Sequence, residues 1–82
     1  MDSLFEIFDQ AIENEEVVTF VTREATYKKK VESALMTEEN KIEIIAEDQM
    51  AIIDLNNVSR INEKKFLAFD VENGREMTII FK

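Results

Sequence analysis

The hydrophobic pattern of this 82-residue chain changes period once, between Glu16 and Val17, and that change restricts the fold more than any other feature. Before it, apolar residues fall at Leu4, Phe5, Phe8, Ala11 and Ile12, one stripe of a 3.6-residue period. Ser3 followed by Glu6 has the spacing of a capping box, so the pattern predicts a helix over 3–14 that buries Leu4, Phe5, Phe8 and Ile12. Asn14 is the expected stop, because Asn tolerates the left-handed conformation that closes helices. After the change, short β-branched runs alternate in twos. Val17–Arg23, the stretch around Tyr27, Val31 and Leu35, Ile42–Ala46 and Met50–Leu55 all read as strands. Thr37–Asn40 and Glu47–Gln49 read as turns, and Val58–Ile61 as a short apolar segment after Asn56-Asn57.

Asn73-Gly74 holds the only glycine, and it lies between two apolar runs, Phe66–Glu72 and Arg75–Phe81. That dipeptide predicts a two-residue type I′ turn with Glu72 opposite Arg75, Phe66 opposite Phe81 and Asp70 opposite Met77. Both faces of such a hairpin are apolar, with Phe66, Ile79 and Phe81 on one and Leu67, Phe69 and Ile80 on the other. One face is expected in the core. The other is expected against the helix, the first strand or another molecule, which makes these six residues a candidate oligomer interface in a homodimer.

Short connections and the lack of any internal repeat predict a single domain over 1–82: an acidic amphipathic helix (1–16), barrel strands (17–62) and a C-terminal β-hairpin (64–82). The expected fold class is mostly β with one N-terminal α-helix, a small, strongly bent antiparallel sheet or barrel of Sm or SH3 type with the helix on one end. Leu, Ile, Val and Phe supply 26 residues, enough for a core despite the charge.

The net charge is −8, from 18 acids and 10 bases. Asp2, Glu6, Asp9, Glu13, Glu15 and Glu16 put six negative charges into the first 16 residues, with no Lys or Arg among them. Acids near a helix N-terminus suit the macrodipole, whereas Glu13, Glu15 and Glu16 lie where negative charge is disfavoured. Asp9, Glu13, Glu15 and Glu16 are therefore a candidate surface for a basic protein partner, weighed against a merely solvated helix face. Arg23, Tyr27, Lys28 and Lys30 are the alternative, a small nucleic-acid patch with one stacking aromatic. Consecutive strand lysines also serve to protect sheet edges, and Lys29 must point opposite to Lys28 and Lys30. A molecule of this charge meets repulsion from phosphates, so direct nucleic-acid binding is not expected.

Chemistry has few materials here. The sequence contains no His and no Cys, which removes the usual triads and the soft metal ligands. Ser3 reads as a cap, Ser33 as a strand residue and Ser59 as part of a polar corner. Glu47, Asp48 and Asp54 lack the spacing of a calcium loop. One glycine cannot build a phosphate cradle. The expectation is a non-enzymatic protein without cofactor or metal. An acidic N-terminus and the absence of any long apolar run point to a cytoplasmic protein with no membrane partner.

The stretch from Leu4 to Ile61, 58 residues, resembles a known arrangement. A helix ending in Ala11-Ile12-Glu13-Asn14-Glu15 runs into Val17-Val18-Thr19-Phe20. Ile42-x-Ile44 and Ile53-Asp54-Leu55-Asn56-Asn57-Val58-Ser59-Arg60-Ile61 follow. This is similar to the YolD-like group of small bacterial proteins, and the layout resembles Sm-like barrels and the Rho-binding antiterminators of the Rof type. The resemblance implies a bacterial or phage accessory protein that docks on a nucleic-acid-handling factor, such as a polymerase or a transcription or replication factor. Sm-like RNA binders carry glycines in the second and fifth strands, where this chain has none, so no binding residue is carried over.

Overall fold

The computed structural model describes residues 3–82. A helix, α1 (Leu4–Glu13), precedes seven strands: β1 (Val17–Thr22), β2 (Thr26–Met36), β3 (Lys41–Ala46), β4 (Gln49–Asp54), β5 (Ser59–Asn62), β6 (Lys65–Asp70) and β7 (Arg75–Ile80). A single 3₁₀ turn, Leu55–Asn57, links β4 to β5. All pairings are antiparallel, in the order β4-β3-β2-β1-β7-β6-β5, and an extra contact between β4 and β6 bends the sheet into a partly closed ring. The C-terminal hairpin is thus part of the barrel, β7 pairing with β1 and β6 meeting β4. Only β5 lies outside the ring, as a short edge strand with all four residues exposed.

The helix forms as its pattern dictates. The Ser3 hydroxyl accepts the Glu6 N–H at 3.2 Å and donates to Glu6 Oε1 at 3.2 Å, so the reciprocal bond starts from the hydroxyl instead of the Ser3 N–H. Leu4, Phe8 and Ala11 are buried, with Phe5, Ile7 and Ile12 packed against them. Phe8 meets Phe81 edge-on at 4.9 Å, and Phe66 meets Phe81 at 5.9 Å, tying the helix to the sheet. Fully burying a Leu or Phe side chain stabilises by about 1.5–3 kcal/mol, so this face suffices to hold a ten-residue helix that would not persist alone. The left-handed residue at its end is Glu15 (φ 53°), one position later than expected. Asn14 caps with φ −90°, and the Glu16 N–H reaches back to the Ala11 carbonyl at 2.9 Å.

Two further corrections concern register. In the C-terminal hairpin Asp70, not Glu72, stands opposite Arg75, so Phe66 faces Ile79 and Ala68 faces Met77. The turn spans the four residues Val71–Gly74. Gly74 takes the positive φ (62°) its position requires, but Asn73 does not, which excludes type I′. The cause is the Asp70 carboxylate, which accepts the N–H groups of Glu72 (3.1 Å) and Asn73 (3.4 Å) and organises a wider turn. A two-residue shift keeps every side chain on its face, so Phe66, Ala68, Met77, Ile79 and Phe81 still form the inner wall.

In β2 the register slips between Val31 and Ser33, a bulge that leaves Glu32 extra. Parity inverts there. Val31 and Ala34 face inward, while Leu35, expected on the same face as Val31, is 63% exposed. Flanked by β1 and β3, β2 is also an inner strand, so its lysines protect no edge.

Candidate functional site

The helix is the most one-signed surface of the described residues. At ~100° per residue, Glu6, Asp9 and Glu13 fall within about 60° of one another, opposite the buried Leu4, Phe8 and Ala11. All three are exposed, and Glu15 beyond them is exposed as well. Of the four expected carboxylates, the fold therefore groups Asp9 and Glu13 on one stripe. Glu16 is half-buried and borders a groove between the helix and the β5–β6 turn, together with Arg60, Glu63, Lys64 and Lys82. Glu6 completes the stripe. Its i, i+3, i+7 spacing with Asp9 and Glu13 was readable, but the capping box accounted for Glu6 first.

The ion pairs among the described residues lie elsewhere. Lys29 Nζ holds Asp48 at 2.9 Å, Lys41 holds Glu39 at 3.2 Å, and Arg75 Nε lies 3.5 Å from Asp70. The hydrogen bond between Lys29 and Asp48 raises the ammonium above its ordinary range and lowers the carboxyl below its own. No ion pair within the described residues reaches Asp9, Glu13, Glu15 or Glu16. The last turn of the helix carries no basic residue. The sheet thus engages several of its cations internally, and the helix carboxylates face outward.

The fold separates the proposed nucleic-acid patch. Tyr27 is half-buried against the core on the same side of β2 as Lys29, whereas Lys28 and Lys30 are exposed on the other side. Arg23 is exposed in the β1–β2 turn. The cation over the Tyr27 ring is Arg75, at 5.6 Å, at one end of the barrel where Phe20, Lys29, Gln49 and Met77 also meet. That space has a volume of about 20 Å³, room for one water molecule and no base.

The expected oligomer interface divides likewise. Phe66, Ile79 and Phe81 are buried in the core and offer nothing to a second molecule, which corrects half of that assignment. Leu67 is 41% exposed on the outer face, with Phe69 and Ile80 half-buried beside it.

Asp70 was missed by sequence reasoning. It is fully buried, and besides the turn N–H groups it accepts the Ile52 N–H at 3.0 Å and Asn73 Nδ2 at 2.7 Å. The Val71 N–H donates to the Ile52 carbonyl at 2.8 Å, and Asn73 Nδ2 donates to the Met50 carbonyl at 3.1 Å. These bonds seal the β4–β6 seam, where the ladder itself makes one residue pairing, Ile53 with Asp70. Asp70 is a structural group. Among the described residues no three His, Cys, Asp or Glu side chains are gathered so as to hold a metal ion, and no helix is long and apolar enough to cross a membrane. Comparison with protein-family models, with curated proteins and with solved structures finds no match to this chain.

Proposed function

We propose that this chain is a non-enzymatic binding module whose helix docks on a basic surface of a nucleic-acid-handling protein. One observation carries the reading: a stripe of exposed carboxylates, Glu6, Asp9 and Glu13, extended by Glu15, with no ion pair to Asp9, Glu13 or Glu15 among the described residues. A helix that retains acids at its C-terminal end, against its own dipole, has a use for them outside itself. Lys and Arg side chains that normally meet phosphates would meet carboxylates instead, so the mechanism is competition for a cationic groove. The likeness of Leu4–Ile61 to YolD-like and Sm-like proteins supports a bacterial or phage accessory role in the cytoplasm.

The test compares wild type with an Asp9→Lys, Glu13→Lys, Glu15→Lys variant in affinity capture from the native host, identified by mass spectrometry. Circular dichroism establishes that the variant is folded. Capture of a nucleic-acid-handling protein by wild type, and its loss in the variant, is the expected result. An unchanged set of captured proteins removes this reading.

A further inference from the structure

The bulge in β2 has an effect on the outer face of the sheet. Because Glu32 is extra, the small Ala34 turns into the barrel and the larger Leu35 turns out, giving the most exposed large apolar side chain of the described residues. Leu35 stands opposite Glu43 on β3, and Glu43 stands opposite Ile52 on β4. Ile45, two residues along β3, is 42% exposed and faces Met50, which is 40% exposed. The result is an apolar surface of four aliphatic side chains around one carboxylate.

That carboxylate makes no ion pair or side-chain hydrogen bond among the described residues, although Glu43 is half-buried. The nearest cation along the same face of β3 is Lys41, whose ammonium is engaged by Glu39 at 3.2 Å. Partial burial among aliphatic groups strips hydration from a carboxylate without supplying a counter-charge. A second copy fits this poorly, because molecules of charge −8 repel one another. A cation carried within an apolar strip fits well, since the contact becomes stronger as water is excluded.

We infer that the outer face of β2, β3 and β4 docks a basic amphipathic segment of a partner protein, with a Lys or Arg on Glu43 and apolar side chains on Leu35, Ile45, Met50 and Ile52. This surface uses none of the helix carboxylates, and it stands whether or not the helix binds a partner.

The experiment titrates the full chain, observed by amide NMR, with a synthetic peptide of about ten residues bearing leucines around one central Lys, in strand-forming and helix-forming versions. A matched peptide carries Glu in place of that Lys. The expected result is saturable binding of a Lys peptide, with shifts at Leu35, Glu43, Ile45, Met50 and Ile52. Leu35→Ser and Glu43→Lys should each weaken it roughly tenfold. Both positions are at least partly exposed, and the spectrum reports folding of each variant. Glu13→Lys should leave this affinity within about twofold, which separates failure here from failure of the helix reading. Shifts confined to the helix, equal binding of the Glu peptide, or no saturation at millimolar peptide would overturn the inference. So would a dimer of the free chain that Leu35→Ser abolishes, since the occupant would then be a second copy.

Discussion

Asp70 carries more of this fold than any other polar side chain. It is completely buried, and its two oxygens serve the β6–β7 turn, the β4 backbone and Asn73 together, with Arg75 alongside. Asp70→Ala would leave those donors without partners inside the protein, and the stability lost should be about 3 kcal/mol, read from urea denaturation. The Ile52 amide should also exchange its hydrogen faster in that variant, because its acceptor is gone. Asp70→Asn should cost less, since one oxygen remains while an amide is turned toward Asn73. The Lys29–Asp48 pair makes a different, pH-dependent contribution. Asp48 is lowered from 3.8, so its share of stability is present above that pH and lost as pH falls through the folded value. Lys29 is raised from 10.5, so its share is present below that pH and lost as pH rises through the folded value. Replacing both, Lys29→Met with Asp48→Asn, should flatten the stability–pH curve at its acid and alkaline ends and leave neutral pH nearly unchanged. Thermal unfolding across pH measures this.

At the scale of elements, the helix and the strands were legible because their hydrophobic periods are strong and local. Leu4, Phe8 and Ala11 recur on one helical face, and Val18 and Phe20 alternate along β1. Two features escaped for physical reasons. The Asn73-Gly74 pair states a local turn preference, but the wider turn is chosen by Asp70, whose carboxylate also reaches the amide of Ile52, far away in sequence. The β2 bulge inverts parity without a compositional mark, and only pairing with β3 reveals that Leu35 has left the core. Helix carboxylates could be listed from the sequence, but their grouping with Glu6 required helical azimuths. One consequence belongs to the helix itself. Glu13 lies at its last residue, where a positive charge suits the dipole, so Glu13→Lys should raise stability by roughly 0.5 kcal/mol. The same change should weaken partner binding. Chemical denaturation and affinity measured on that one variant test both halves.

At the scale of the molecule, the charge of −8 resolves into a sheet with acids and bases nearly balanced and a helix that carries the excess. Closure of the sheet gives a rigid base, 28 × 28 × 25 Å in extent, to which the helix is fixed by Phe8 on Phe81. Such a helix presents its carboxylates without the entropy cost of ordering on contact. The most direct test of this account is the affinity of the protein for its captured partner, measured from about 50 to 300 mM salt. Recognition through the carboxylate stripe predicts a steep fall in affinity with salt, and a much shallower one for the Asp9→Lys, Glu13→Lys, Glu15→Lys variant. Affinity that is indifferent to salt, or equal in the two proteins at every salt concentration, would contradict it.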